Sequence, residues 1–331
     1  MKIKMLLLFI PNLLFFTNAY SSVNMIAWWE FIDKQTISNL EKKCNTQVSM
    51  DEYYSADDFL RRTKKQHYSV LIFPAEVYNM VADEISSQGL NFEDVTKNYH
   101  PNVLALFKQQ NLSKNIGIFS MGITGFLYDP SQIQISEDEN IPSIFSKAKN
   151  KKISLLDDPM ESLHLVNKDK SSSNVSKDFA EFKNLIKDKY YIITNDVDKI
   201  TKEEKFAFAY MWIGDAVRSV NKHPHLKFVS IPSPAYISAD FIATLDKSKE
   251  TECVAKNLAS QEFLNPILNR SHYFSPFGST ESFKNKEFSA AYVNFIDNHK
   301  KFIWLKAPNK EEYKNYIKLW ESAKIEMNNK L

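Results

Sequence analysis

The chain has 331 residues, with 42 basic and 40 acidic side chains, a net charge of +2 and 44% hydrophobic residues. A near-neutral surface excludes the basic field that non-specific binding to nucleic acid or an anionic membrane requires. With six glycines in all and neither G-x-G-x-x-G nor G-x-x-x-x-G-K-[ST] present, a glycine-rich phosphate loop is excluded as well.

The N-terminus reads as an export signal. Lys2 and Lys4 form a positive start, Met5 to Phe16 an apolar stretch broken only by Pro11 and Asn12, and Thr17-Asn18-Ala19 supplies the small residues of a cleavage site. A bilayer span needs ~20 apolar residues, and this run is shorter. Cleavage is expected near Ala19 to Ser22. No cysteine lies at that site, so the product is expected to be free in the periplasm and not lipid-anchored. Loss of residues 1–19 removes two lysines and no acid, leaving 40 basic residues against 40 acidic ones. Specificity for a charged ligand then has to come from a local pocket. The mature chain of about 310 residues exceeds the size at which one hydrophobic core stops growing, so two lobes are expected. An oxidising compartment permits a bridge between Cys44 and Cys253; the sequence leaves open whether they are neighbours.

The mature chain opens with an apolar strand, Asn24 to Trp29, followed by a helix from about Thr36 to Cys44 and a second strand at Gln47 to Met50. Ser55 caps a helix Ala56 to Lys65, whose first turn carries Asp57 and Asp58 where the helix dipole favours them. Tyr68 to Phe73 is a buried strand stopped by Pro74. Alternation resumes with strands at Lys152 to Leu156, Tyr190 to Thr194 and Ala207 to Trp212. Strands alternating with helices at this spacing predict an α/β fold with a parallel sheet. Gln132 to Pro142 and Lys168 to Lys177 are polar runs read as solvated connections. Glu311 to Asn329 is an amphipathic packing helix.

Three strands end in an aromatic or acidic cluster at the turn into a helix: Ala27-Trp28-Trp29-Glu30-Phe31, Leu155-Leu156-Asp157-Asp158-Pro159-Met160-Glu161, and Tyr210-Met211-Trp212-Ile213-Gly214-Asp215-Ala216. The carboxyl ends of strands are where ligands bind in open α/β sheets. Each cluster also has a structural explanation. Asp158 to Glu161 is a capping box with proline at the first helical position, Asp215 suits an N-cap, and Trp28, Phe31 and Trp212 suit a core. Their recurrence favours a ligand. Aromatic faces attract ammonium groups by ~0.5–2 kcal/mol each, and carboxylates add charge-assisted hydrogen bonds. Together they suit a small, multiply charged amine.

In the order of its landmarks the chain resembles the bacterial spermidine/putrescine-binding proteins, within the larger group of extracellular solute-binding proteins. Asn24 to Phe31 is similar to that family's opening strand, whose Trp-x-x-Tyr falls on Trp28 and Phe31. Tyr68 to Tyr78 matches its strand ending in proline, and Ser120 to Tyr128, with Gly122, Thr124 and Gly125, its crossing into the second lobe. Leu155 to Glu161 resembles a Leu-x-Asp-x-x-x-Glu helix start, and Tyr210 to Ala216 resembles Trp-x-Gly-[Ser/Asp]-Ala. Asp240-Phe241-Ile242-Ala243 matches the Asp-x-x-Ala of the return crossing, and His272 to Pro276 resembles Gly-Tyr-x-x-Pro. The chain departs from the family where Phe31 replaces a tyrosine, Ala75 a serine, and Ser238 an aromatic residue.

The resemblance implies a two-lobe periplasmic binding protein of the type II, Venus-flytrap kind, with hinge crossings near Tyr128 and Tyr236. Residues 20–127 and 238–300 would form lobe 1, residues 128–237 and 301–331 lobe 2. A polyamine, putrescine or spermidine, would lie between Trp28, Phe31, Asp240 and Tyr273 on one side and Asp158, Glu161, Trp212 and Asp215 on the other. Partners would be the membrane permease subunits of an ABC importer, with the binding protein itself a monomer. The reading calls for no cofactor, no metal and no nucleic acid, and makes the chain a binding protein and not an enzyme. The alternatives are a periplasmic polyamine sensor for a membrane signalling partner, or a binding protein for another solute such as ferric ion. Related families hold iron with adjacent tyrosines, but Tyr190-Tyr191 sits in a strand, where successive side chains face opposite ways.

Overall fold

The computed structural model describes residues 22–166, 175–196, 199, 206–230, 235–278, 286–304 and 307–328. The expected export signal and most of the run Lys168 to Lys177 lie outside the described residues.

Ten strands are present among the described residues: β1 (Ser22–Trp28), β2 (Gln47–Tyr53), β3 (Val70–Pro74), β4 (Ile116–Tyr128), β5 (Lys152–Leu155), β6 (Tyr190–Ile193), β7 (Phe206–Trp212), β8 (Lys227–Ser230), β9 (Ala235–Thr244) and β10 (Phe302–Trp304). The first elements form for local reasons. Asp33 accepts from Thr36 N to start the helix Lys34–Cys44, and Ser55 accepts from Asp58 N to start Ala56–Thr63, each satisfying an orphan N–H of a first turn. β1 and β3 are near-continuous apolar runs buried on both faces, as parallel strands covered by helices must be.

The sheet runs β2-β1-β3-β9-β4-β7-β5-β6, with β10 beside β9 and β8 beside β4. It corrects one expectation. The strand–helix alternation holds at both ends, where β2, β1 and β3 are parallel and so are β6, β5 and β7. The centre is antiparallel: β9 runs against both β3 and β4, and β4 against β7. Local alternation does not fix this pairing: β4 runs from the first core into the second, while β9, whose core residues Ile237 to Ala243 lie on the first core, is paired against it over Ile116 to Ile123.

The buried side chains form two cores. The first contains Ile26, Leu71, Phe73, Ile118, Ile123, Phe241 and Val254; the second contains Phe126, Phe145, Phe182, Phe208 and Trp320. Along β4, whose thirteen residues are all buried, the change of core falls between Ile123 and Phe126, a little before Tyr128. Residues 301–331, expected with the second lobe, are divided: Trp304 and Tyr313 pack on the first core, Trp320 and Ala323 on the second. The helix Lys310–Asn328 therefore lies across both.

Cys44 and Cys253 are joined by a disulfide with Cα atoms 5.7 Å apart, closing a sequence separation of 209. It links the helix Lys34–Cys44 to the helix Lys249–Leu258, both on the first core. The two-lobe α/β architecture is thus a mixed sheet with parallel wings and an antiparallel centre.

Candidate functional site

Strand register brings the site together. In β9, Asp240 lies opposite Pro74 of β3 on one side and Ser120 of β4 on the other. Further along β4, Thr124 lies opposite Trp212, the last residue of β7. Trp28 ends β1 and packs edge-on to Trp212, ring centroids 5.9 Å apart. These strand ends enclose a cavity of about 70 Å³ between the two cores. Its walls include Trp28, Phe31 and Tyr273 from the first lobe side and Asp158, Glu161 and Trp212 from the second, with Asp240 between them.

Each aromatic wall is held by a neighbour. Phe31 stacks on Phe119 at 5.9 Å and leans on Tyr273 at 5.4 Å, while Trp28 meets Tyr53 edge-on at 5.2 Å. Such pairs are worth about 0.5–1.5 kcal/mol beyond burial and fix ring orientation. Tyr273 fits because Gly214 lacks a side chain: a Cβ there would lie 2.6 Å from the Ser271 carbonyl and would collide with the Tyr273 ring.

The acidic wall is built by a short helix, Pro159–Leu163, that starts at the end of β5. Asp158 is its N-cap and accepts from Glu161 N at 2.9 Å. The Glu161 side chain faces the cavity and does not reach back to the cap. Its carboxylate accepts from Trp212 Nε1 at 3.2 Å and from Thr124 Oγ1 at 3.4 Å. Tyr210 Oη lies 3.0 Å from both Thr124 Oγ1 and the Glu161 carbonyl, bracing the turn. Asp157 points elsewhere, accepting from Trp320 Nε1 at 2.7 Å and pairing with Lys324. The neighbouring acids of the sequence motif therefore have separate jobs: Asp157 ties down the C-terminal helix, and Asp158 caps and lines the cavity.

The electrostatics follow from enclosure. Burial, reinforced by the Asp158 charge, pushes Glu161 up to about 8 from an ordinary 4.5. Burial raises Asp158 and Asp240 to about 6, and for Asp240 the hydroxyl of Ser120 partly offsets it. Among the described residues none of these acids forms an ion pair with Lys, Arg or His. Carboxylates gathered in a cleft with no ion-pair partner among the described residues are poised to take up a cation.

Of the residues singled out from sequence, Trp28, Phe31, Asp158, Glu161, Trp212, Asp240 and Tyr273 share this cavity. Asp215 does not line it. It is buried, in the first turn of the helix Ile213–Lys222, and pairs with Arg218 one turn on. The i,i+3 spacing of Asp215 and Arg218 was visible in the sequence and explains the difference: the carboxylate already has its cation. Sequence reasoning missed Glu76, Ser120 and Ser238, which also line the cavity. Glu76 follows Pro74 at the end of β3, so the strand-end rule that picked out three clusters contained a fourth.

No protein-family model matches the chain, and no curated protein matches it. Solved structures do. The spermidine/putrescine ABC transporter substrate-binding protein PotD of Streptococcus pneumoniae is 16% identical, with a TM-score of 0.69 over 92% of this chain and 98% of that one. The PotD lipoprotein of Treponema pallidum is 13% identical, with a TM-score of 0.70 over 92% and 99%. The binding protein MotA of A. tumefaciens, solved with glucopine, is 10% identical, with a TM-score of 0.67 over 92% and 99%. At these identities the likeness is one of fold, and it spans nearly the whole of each chain: this protein has the two-lobed, type II fold of the periplasmic substrate-binding proteins of ABC transporters.

Proposed function

We propose that this protein is an exported substrate-binding protein that captures a polyamine between its lobes and delivers it to the membrane subunits of an ABC importer. The observation that carries the reading is the cavity itself: carboxylates without an ion-pair partner among the described residues, in a wall shared with the indoles of Trp28 and Trp212. A flexible chain with an ammonium at each end can place its charges on Asp240 and on the Asp158–Glu161 wall, and its methylenes against the rings. The cavity of about 70 Å³ has room for roughly five to seven water-sized groups, at about 10–15 Å³ each. That favours a short diamine such as putrescine over the longer spermidine. The export signal read in residues 1–19 supports release into the periplasm, where such receptors work. Closure of the lobes on the ligand would create the surface that the permease recognises. The protein acts by binding, and no chemical step on the ligand is part of the reading.

The test is calorimetry of the mature protein against putrescine, spermidine, spermine, glucopine and ferric citrate. At least one polyamine is expected to bind with a Kd near or below micromolar, about −8 kcal/mol. No heat and no melting shift with any amine up to millimolar would remove the polyamine reading, and would leave the solute-binding fold in place.

A further inference from the structure

Glu76 stands in the 3-10 turn Ala75–Val77, immediately after Pro74 on the first-lobe side. It lines the cavity and hydrogen-bonds the side chain of Asp158, which begins the helix Pro159–Leu163 on the other side. Two carboxyl groups therefore meet across the cleft. One Asp158 oxygen is already committed to the cap through Glu161 N at 2.9 Å. Two carboxylates in hydrogen-bonding contact repel unless a proton or a cation lies between them.

Among the described residues, no cationic side chain pairs with Glu76 or Asp158. The ionisable groups acting on Glu76 or sensing it are Asp158 and Glu161 of the same short helix, Asp240 of β9, Tyr53 of β2 and Tyr313 of the C-terminal helix. All are acids or phenols. Burial, then the Asp158 charge, holds Glu76 well above the ordinary carboxyl range, which favours a proton shared by the pair.

We propose that Glu76 is a specificity-determining residue of the site, forming with Asp158 a two-carboxylate clamp across the cleft that takes one primary ammonium of the ligand in place of their shared proton. This rests on the polyamine reading and narrows it. An R–NH3⁺ group offers three N–H donors and can bond both carboxylates at once, one from each lobe. A fully N-methylated amine offers no more than one. The exchange balances: the pair with its one proton takes up R–NH3⁺, and H⁺ leaves to solvent. Binding of each ligand is thus coupled to proton release, and the two lobes are joined by the ligand's nitrogen.

The experiment is titration calorimetry of the mature protein at pH 7 with putrescine and with its N,N,N′,N′-tetramethyl derivative, in buffers of different ionisation enthalpy. Wild type is expected to release at least one proton on binding putrescine and to prefer it at least tenfold over the methylated diamine. Glu76→Gln, which keeps the size of the side chain, is expected to lose at least tenfold in putrescine affinity, a clear share of the proton release and most of the preference. Putrescine binding with equal affinity and proton count in Glu76→Gln overturns the role of Glu76 and leaves the polyamine reading standing. Wild-type binding without proton release overturns it too, and needs no variant. If no polyamine binds wild type, the wider reading fails, and the clamp with it.

Discussion

Ser120 Oγ donates to Asp240 Oδ2 at 2.5 Å, between facing residues of the antiparallel central strands β4 and β9. The backbone of Asp240 is fixed from both sides, by Ser120 and by Pro74, so its carboxylate has one place to point. Replacing it with asparagine keeps the shape and the Ser120 hydrogen bond while removing the charge. Asp240→Asn is therefore expected to weaken polyamine binding by roughly 2–5 kcal/mol, the usual loss when one member of a buried charge pair goes. The melting temperature of the empty protein should hold or rise. Calorimetry and thermal denaturation read the two effects separately, and normal binding by the mutant would remove Asp240 from the site.

The cavity acids also set a pH dependence whose sign is fixed. Asp158 and Asp240 are raised from 3.8 to about 6, Glu161 from 4.5 to about 8, and Glu76 is raised as well. Folding holds their protons more tightly than the unfolded chain does. Their contribution to stability is thus full below about pH 4 and lost as pH rises towards 8. Asp33, Asp58, Glu139 and Asp246 are shifted the other way, but they are already ionised above pH 5. Between pH 5 and 8 the melting temperature of the empty protein is expected to fall. The rise produced by a fixed concentration of putrescine is expected to grow over the same window, because a cation binds the ionised site. A ligand-induced shift of equal size at every pH would contradict this.

The strands and the first helices were legible because their signals are local: an apolar run, a proline stop, a capping side chain. The strand ends gave Trp28, Phe31, Asp158, Glu161 and Trp212, while Asp240 and Tyr273 came only through family resemblance, since nothing about an isolated aspartate in a strand marks it. What local pattern cannot carry is pairing. Whether β9 runs with or against β3 depends on a contact between residues more than 160 apart, and the placing of Ser120 beside Asp240 is just as non-local. Side-chain direction was the other gap. Asp215 and Glu76 both follow a strand end; one turns to Arg218 and the other into the cleft, and only the Arg218 spacing hinted at it.

The disulfide should matter for stability and not for recognition. Cys44 and Cys253 both sit on first-core helices, and neither lines the cavity. Closing so long a loop contributes about 3–5 kcal/mol in the chain-entropy account. Reduction, or the double substitution Cys44→Ser with Cys253→Ser, should lower the melting temperature by several degrees and leave polyamine affinity within about twofold of wild type at 25 °C. A large loss of affinity would mean that the bridge shapes the site.

Gly214 tests the fit between lobes. Its helix carries Ile213 and Val217 onto the first core, and a Cβ at 214 would meet the Ser271 carbonyl at 2.6 Å as well as the Tyr273 ring. Backbone gives way less easily than a side chain. Gly214→Ala is expected to hold the lobes apart, weakening polyamine binding at least tenfold and raising the radius of gyration of the ligand-saturated protein. An unchanged scattering curve with unchanged affinity would show that the close approach can relax.

Glu161 separates a capping role from a ligand-binding one. Its backbone N–H is what Asp158 caps, whereas its carboxylate lies against Trp212 Nε1 and Thr124 Oγ1 inside the cavity. Replacing a capping side chain with alanine costs about 0.5–2 kcal/mol whether or not ligand is present. Removing a group that bonds only the ligand reduces only the extra stability that ligand confers. Glu161→Gln keeps the capped N–H and an acceptor oxygen for Trp212, and takes away the charge. The melting temperature of the empty protein is expected to change little, or to rise slightly as one source of repulsion goes. At a putrescine concentration within the responsive range, at least half of the ligand-induced melting shift should disappear. Asp158→Asn should behave differently, retaining the cap but losing the charge and one of the two carboxylates that face the ligand. If Glu161→Gln keeps the full shift while Asp158→Asn and Asp240→Asn lose it, the ligand lies between Asp158 and Asp240 and Glu161 serves only to brace the turn.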